Sequence, residues 1–136
     1  MSENTNIEVI MVEPGKEARM MSIGDDLESM QRAVGGYIEE YMPYEDDIAI
    51  ICNEEGKING LPLNREIKDE QGCVMDIIAG PFFMAYAPIE SESFLSMPDD
   101  MKDKYFEKVK DPQKFVMTRS GIKSVPFNHE KHDMER

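Results

Sequence analysis

Short runs of apolar residues, separated by turn residues, dominate the pattern along this chain and predict β-strands. Residues 7–12 form a β-branched run that stops at Pro14 and Gly15, which is typical of a strand ending in a turn. Residues 48–52 are apolar without interruption, as expected for a strand buried on both faces. Further strands are predicted over residues 37–42, 58–63, 73–79 and 82–87.

Two segments show the spacing of amphipathic helices. In residues 22–34 apolar side chains recur every three or four positions, and Gly35 follows where a left-handed residue would end the helix. The second helix is predicted over residues 99–110, after a Ser-x-x-Asp capping box formed by Ser96 and Asp99. The apolar residues on the common face of the first helix are Ile23, Leu27, Met30 and Val34.

The order of these elements indicates an α+β fold with a mainly antiparallel sheet and two principal helices in a single domain. Residues 53–57 have the residue types of a hairpin turn, which would return residues 58–63 antiparallel to the buried strand. We expect residues 1–110 to form the acidic domain. Residues 111–136 lose the periodicity, which predicts a tail that is loosely ordered or ordered against a partner.

Charge is the strongest signal in the composition. The chain carries 28 acids and 15 Lys or Arg side chains, so its net charge is −13. Residues 1–110 hold 24 acids and 10 bases, a balance of −14, whereas residues 111–136 hold 4 acids and 5 bases, a balance of +1. A field of this sign repels nucleic acid and favours basic protein surfaces, although simple solubility explains it as well. We therefore expect no direct nucleic-acid partner.

The sequence predicts a cytoplasmic protein with no membrane partner. It has no apolar run of the length that spans a bilayer, and its first residues lack the features of a secretory signal. Cys52 and Cys73 lie in apolar stretches, which predicts buried free thiols rather than a disulfide.

Familiar catalytic and cofactor motifs are missing from the sequence. It has no phosphate-binding glycine loop, no dinucleotide fingerprint and no nucleophile elbow. The two histidines, His129 and His132, stand near the C-terminus, and a metal site would need further ligands beside them. The adjacent Glu54 and Glu55 could serve hydrolysis or Mg²⁺ binding, but such pairs arise freely among 28 acids. We expect no enzymatic activity, no cofactor and no metal.

A polar set beside the buried strand is the candidate ligand site, and it consists of Asn53, Lys57, Asn64 and Arg65. In this interpretation Arg65 contacts a small anionic ligand, the two asparagines orient it, and Lys57 is a separate anchor. A turn, a buried asparagine bonded to the backbone and a surface ion pair explain the same residues without any ligand. Gly36, next to the expected helix end, would let a ligand or a second chain approach the backbone closely.

Two blocks of the sequence are distinctive, namely Val34-Gly35-Gly36-Tyr37-Ile38-Glu39 and Asn53-Glu54-Glu55-Gly56-Lys57. With Pro14-Gly15-Lys16, Leu63-Asn64-Arg65 and Asp76-Ile77-Ile78-Ala79-Gly80, their order resembles the domain-of-unknown-function 3846 family over roughly residues 7–110. The resemblance implies an accessory protein of a phage, plasmid or conjugative element, mostly of Gram-positive bacteria. It implies a role in modulating the host or its defences, and no catalytic residue.

Two functions of different classes stay open at this point. The first is a non-enzymatic acidic protein that binds or inhibits a basic host partner, such as a defence protein. The alternative is a protein that binds or sequesters a nucleotide or another phosphorylated small molecule beside Arg65. The sequence leaves the oligomeric state open.

Overall fold

The computed structural model describes residues 5–126, which form two α-helices and nine β-strands. Helix α1 spans Leu27–Val34 and helix α2 spans Asp99–Val109. The strands are β1 (Asn6–Val12), β2 (Arg19–Gly24), β3 (Ile38–Tyr41), β4 (Ile48–Asn53), β5 (Leu63–Lys68), β6 (Val74–Ala79), β7 (Phe82–Tyr86), β8 (Gln113–Thr118) and β9 (Gly121–Pro126). The predicted α+β class, with its two principal helices in a single domain, is confirmed.

Five strands form the main sheet in the order β2-β1-β7-β4-β3, and every neighbouring pair is antiparallel. Strands β5 and β6 form a separate hairpin, and strands β8 and β9 form another. Within residues 5–126, β3 is therefore an edge strand of the main sheet and β6 has only β5 beside it.

Both faces of the main sheet are covered, which is why its central strands are apolar. Helix α1 packs on one face through Met30 and Val34. Helix α2 packs on the opposite face through Tyr105 and Val109, beside the β5–β6 hairpin. All six residues of β4 are buried between these layers, which confirms the prediction of a strand buried on both faces.

The predicted start of the first helix at residue 22 is wrong, because that residue lies in β2. Ile23 pairs with β1 instead of continuing the helical stripe. Asp26 sets the boundary, since its carboxylate accepts a hydrogen bond from the Ser29 N–H at 2.9 Å, as an N-cap residue does. The predicted end is confirmed, because Gly35 adopts the left-handed conformation with φ 81°.

The prediction that residues 58–63 return as a strand beside β4 is also wrong. Strand β4 already has β3 on one side and β7 on the other, so it has no edge left for a returning strand. The chain makes tight turns instead, in which the Asn59 N–H donates to the Glu55 carbonyl and the Leu61 N–H donates to the Gly56 carbonyl, each at 2.9 Å. The next strand is β5, which pairs with β6.

The second helix matches its prediction in extent but not in its cap. Its N-cap residue is Pro98, and no side chain bonds to the backbone there, so the predicted capping box is wrong. The Ser96 hydroxyl accepts a hydrogen bond from the Glu8 N–H at 2.9 Å and so anchors β1. Neither helix within the described residues is long and apolar enough to cross a membrane.

Part of the predicted tail is a regular β-hairpin. Strands β8 and β9 pair from Gln113 opposite Pro126 to Thr118 opposite Gly121. The Gln113 side chain holds the hairpin beside β5, because its oxygen accepts a hydrogen bond from the Glu66 N–H at 2.7 Å. Residues 113–126 therefore depart from the expected irregular tail. Residues 127–136, which include both histidines, lie outside the described part of the chain.

The two cysteines are both free, as predicted, but only Cys52 is buried. Cys73 is exposed and lies at the end of a turn, where its N–H donates to the Asp69 carboxylate at 2.9 Å.

Candidate functional site

The structure divides the four candidate ligand-binding residues into two pairs. Asn64 and Arg65 lie at the start of β5 and are 0% and 1% exposed. Asn53 ends β4, and the exposed Lys57 lies in the turn after it. Asn64 and Arg65 line none of the clefts to which Asn53 and Lys57 contribute. The four side chains thus share no common cleft among those described here.

The guanidinium of Arg65 bonds to two distant backbone carbonyls and to the side chain of its neighbour Asn64. Its Nε donates to the Val109 carbonyl at 2.8 Å, its Nη2 to the Lys16 carbonyl at 2.7 Å and its Nη1 to Asn64 Oδ1 at 2.9 Å. The Val109 carbonyl stands at the C-terminal end of α2, where the helix dipole favours a cation. Burial lowers the pKa of Arg65 to about 10, and Asp111 opposes this shift. We name this arrangement, with Asn64, the buried polar tie.

Both polar atoms of the Asn64 side chain are also hydrogen-bonded. Its amide nitrogen donates to the Val12 carbonyl at 3.0 Å and to the Gly80 carbonyl at 2.8 Å, while its oxygen accepts from Arg65. Within the described residues, every buried side-chain nitrogen and oxygen atom has a hydrogen-bond partner. The polar atoms of the tie are therefore used in holding β1, β5 and the turn before β7 together.

Asn53 connects the two distinctive sequence blocks. Its Nδ2 donates to the Val34 carbonyl at the end of α1 at 3.1 Å, and its Oδ1 accepts from the Glu55 N–H at 2.8 Å. A Cβ at Gly36 would lie 2.8 Å from Asn53 Nδ2. Gly36 is thus explained by the space that the asparagine side chain needs.

The turn after β4 packs closely against β6. A Cβ at Gly56 would come within 2.6 Å of the Ala79 carbonyl oxygen, so this glycine serves close packing rather than a left-handed conformation. Lys57 Nζ lies 2.8 Å from an Asp76 carboxylate oxygen, which also accepts the Ile77 N–H at 2.8 Å. Both charged partners are partly exposed, so this pair fixes position more than it adds stability.

Two clefts open beside Asn53. The first, the Tyr37 cleft, has a volume of about 300 Å³ and lies between the end of α1 and the turn after β4. The second, the Cys52 cleft, has a volume of about 340 Å³ and lies between β3, β4 and β6. The polar residues that line the Cys52 cleft include Glu39, Tyr41, Asn53, Glu54, Lys57 and Asp76.

The titratable groups of the Cys52 cleft are poorly suited to nucleophilic chemistry. Burial, with a contribution from the Glu39 and Asp76 charges, raises the pKa of the Cys52 thiol to about 11. Burial and the Asp76 charge also raise the pKa of Tyr41. Both groups stay protonated at neutral pH. No group of three or more His, Cys, Asp or Glu side chains in residues 5–126 is placed to hold a metal ion.

Carboxylates are concentrated where β3 meets the turn after β4. Residues 25–55 contain ten acids and a single base, Arg32. Glu39 on β3 pairs with Cys52 of β4, and the Glu54 N–H donates to the Tyr37 carbonyl at 2.8 Å, which brings the two segments together. We name the rim of the sheet that carries four exposed glutamates and two exposed apolar residues the acidic edge; Glu39 and Glu40, as neighbours in β3, lie on opposite faces of this rim. Its members are Glu39, Glu40, Glu54, Glu55, Tyr37 and Ile58.

The acidic edge combines two features that matter for binding, exposed charge and exposed apolar area. None of its four glutamates belongs to an ion pair within the described residues. Tyr37 is 70% exposed and Ile58 is 83% exposed, although both are large apolar side chains. Sequence reasoning found the overall charge but missed this surface. The excess of ten acids over one base in residues 25–55 marks the stretch of chain, but only the pairing of β3 with β4 shows which of these acids are neighbours.

The residues that build the two clefts and the acidic edge lie within a segment shared with other proteins. A family model described as a domain of unknown function (DUF3846) matches residues 7–110 of the 136. The chain belongs to this family, as the two sequence blocks predict. No curated protein and no solved structure matches the chain.

Proposed function

We propose that this protein is a non-enzymatic binding module whose acidic edge engages a basic surface of a partner protein. The observation that carries the proposal is the set of glutamates without ion-pair partners around two exposed apolar side chains. The proposed setting is the cytoplasm of a bacterium that carries a mobile genetic element, and the proposed partner is a basic host protein.

The charge of the edge supports a basic partner. Glu39, Glu40, Glu54 and Glu55 are exposed, so they keep their hydration until a partner arrives. Opposite charges steer two proteins together and fix their orientation, and this effect is screened within about 8 Å at physiological salt. Host defence proteins that bind nucleic acid belong to the proposed partner class, because they present basic surfaces.

The apolar members of the edge support a protein partner rather than a simple counterion. Tyrosine is enriched among the residues that dominate binding energy at interfaces, because its ring offers apolar area and its hydroxyl a hydrogen bond. Tyr37 lines one cleft and Ile58 lines the other, and both clefts include Asn53. Each of the two side chains therefore stands beside a recess that a side chain of a partner can fill.

Fluorescence anisotropy with a labelled peptide of alternating Arg and Leu tests the proposal. The unmodified chain should bind this probe, and raising the salt from about 0.05 to about 0.5 M should weaken binding by tenfold or more. A peptide of alternating Glu and Leu, with the same apolar content, should not bind.

A matched pair of variants locates the binding surface. The variant with Glu39, Glu40, Glu54 and Glu55 all changed to Gln should lose most of its affinity for the basic peptide. The control changes four other exposed glutamates, Glu17, Glu90, Glu92 and Glu107, to Gln and should bind like the unmodified chain. Equal affinity in both variants, or no binding of the basic peptide at low salt, would contradict the proposal.

A further inference from the structure

Strand β3 forms one edge of the main sheet, because it pairs with β4 on one side and no described strand lies beyond it. Just before β3, the Tyr37 carbonyl accepts a hydrogen bond from the Glu54 N–H. Alternate residues of a strand direct their N–H and C=O groups to opposite sides, so Glu39 faces β4 as Tyr37 does. The N–H and C=O groups of Ile38 and Glu40 therefore point away from β4.

These four backbone groups have no hydrogen-bond partner among residues 5–126. No turn, loop or strand of the described chain bonds to the free side of β3. The one side-chain hydrogen bond to the β3 backbone in this part of the chain comes from Cys52 Sγ, and it goes to the Glu39 carbonyl on the β4 side. An edge with unpaired N–H and C=O groups is a place where an extended segment of another chain can add to the sheet.

The charge of β3 selects the kind of segment that can add. Glu39 and Glu40 are exposed on opposite faces, so an added strand meets a carboxylate on both faces. A second copy of β3 would bring glutamates next to glutamates, and like charges across neighbouring strands are destabilising. A basic segment would instead form cross-strand pairs of opposite charge. The other edge of the main sheet, β2, contains one base and no acid, so charge complementarity favours β3.

We propose that the partner adds a basic segment in extended conformation to β3, as a sixth strand of the main sheet. The inference rests on the proposed function, because it specifies how the basic partner engages the acidic edge. In the antiparallel orientation, which is the more stable per residue, the segment exchanges N–H···O bonds with Ile38 and Glu40. Strand β3 has four residues, so four residues of the partner lie directly opposite it.

The alternation of side chains gives this segment a sequence pattern. The residues opposite Glu40 and Glu39 are neighbours in the added strand and point to opposite faces, so each should be a base. The residues before and after them lie opposite Tyr41, which lines the Cys52 cleft, and Ile38, which packs beside α1. Apolar residues suit both outer positions, because Tyr41 and Ile38 are half-buried. The predicted pattern is apolar-Arg-Arg-apolar.

Fluorescence anisotropy at low salt with the labelled peptide Thr-Leu-Arg-Arg-Leu-Thr tests strand addition. The first Arg lies opposite Glu40, so its N–H donates to the sheet, and methylation of this nitrogen should weaken binding by about tenfold or more. The second Arg lies opposite Glu39, its N–H points to solvent, and methylation there should leave the affinity nearly unchanged. The peptide Thr-Arg-Leu-Leu-Arg-Thr has the same composition and charge and should bind more weakly, because it sets Leu opposite both glutamates.

Amide hydrogen exchange followed by NMR gives a readout that charge contacts alone would not move. Exchange at the Ile38 and Glu40 amides should slow when the peptide binds, because both become hydrogen-bonded. The control amides are those of Met20 and Ser22, which by the same alternation lie on the free side of β2. Their exchange should stay as it is in the free protein.

The outcomes separate this inference from the proposed function. If the basic peptides bind, but methylation of either Arg nitrogen has the same effect or the Ile38 and Glu40 amides keep their exchange rates, only strand addition is overturned. The acidic edge then binds through its side chains. If neither this peptide nor the alternating Arg-Leu peptide binds at low salt, the proposed function is overturned and the inference falls with it.

Discussion

The buried polar tie and the acidic edge are both clusters of polar residues, yet they differ in burial and in the pairing of their polar groups. In the tie, the donors of Arg65 and Asn64 meet acceptors of the same chain at 2.7 to 3.0 Å, out of contact with water. At the edge, four carboxylates have no ion-pair partner within the described residues and remain in solvent. The comparison teaches that a site for a partner is better sought among polar groups left unpaired than among those held most tightly.

The largest effect should come from breaking the tie. Arg65→Ala leaves the Val109 and Lys16 carbonyls without donors and opens a cavity, so we expect the free energy of unfolding to fall by about 3–5 kcal/mol. The control is Arg32→Ala on the exposed face of α1, which should change the free energy of unfolding by less than about 0.5 kcal/mol. Urea denaturation followed by circular dichroism measures both. Similar stability of the two variants would show that Arg65 is not structural.

A loss of stability between those of Arg65→Ala and Arg32→Ala is expected at the contact of α2 with the loop before β4. The hydroxyl of the buried Tyr105 donates to an Asp46 carboxylate oxygen at 2.7 Å, and Lys104 Nζ lies 2.9 Å from the same oxygen. Both hydrogen bonds lower the pKa of Asp46 from its ordinary 3.8, and the bond from Lys104 contributes most. Tyr105→Phe should therefore lower the free energy of unfolding by about 1 kcal/mol at neutral pH.

The pH dependence of this effect has a definite sign. A carboxyl whose pKa is lowered by folding contributes stability above its unfolded pKa, and the contribution is lost as the pH falls through the folded value. The difference between Tyr105→Phe and the unmodified protein should therefore shrink as the pH falls below the ordinary carboxyl pKa of 3.8. Denaturation curves at a series of pH values check this. A difference that stayed constant throughout acid titration of the carboxyl groups would mean that the charge of Asp46 is not involved.

The smallest effect on stability is expected at the acidic edge itself. Changing Glu39, Glu40, Glu54 and Glu55 together to Gln removes four like charges that have no ion-pair partners, so the free energy of unfolding should change by less than about 1 kcal/mol or rise slightly. Thermal unfolding measures this change. A large loss of stability would place these glutamates in the structural framework with the tie.

The sequence predicted the parts of the fold that depend on local pattern. The uninterrupted apolar run of residues 48–52 indicated burial on both faces, and Gly35 marked the end of α1. It did not reveal β2, because Ile23 happens to continue the helical spacing of the residues after it. The β8–β9 hairpin was missed because its strands are largely exposed and show no clear apolar alternation.

The candidate site was less accessible to sequence reasoning than the fold. Asn64 and Arg65 stood out as polar residues, but their acceptors are backbone carbonyls of residues far away in the chain, which no local pattern reveals. The acidic edge depends on the β3–β4 register, which sets Ile38 opposite Asn53. Composition gives the number of acids, and only the pairing of strands shows which of them are neighbours.

The position of Arg65 also sets the order in which the chain can complete its fold during synthesis. Its acceptors lie 49 residues before it, at Lys16, and 44 residues after it, at Val109. A nascent chain that has not yet released the end of α2 from the ribosome lacks one carbonyl that receives this guanidinium. The first hundred residues therefore bury this guanidinium without one of its acceptors, which only the last turn of α2 supplies.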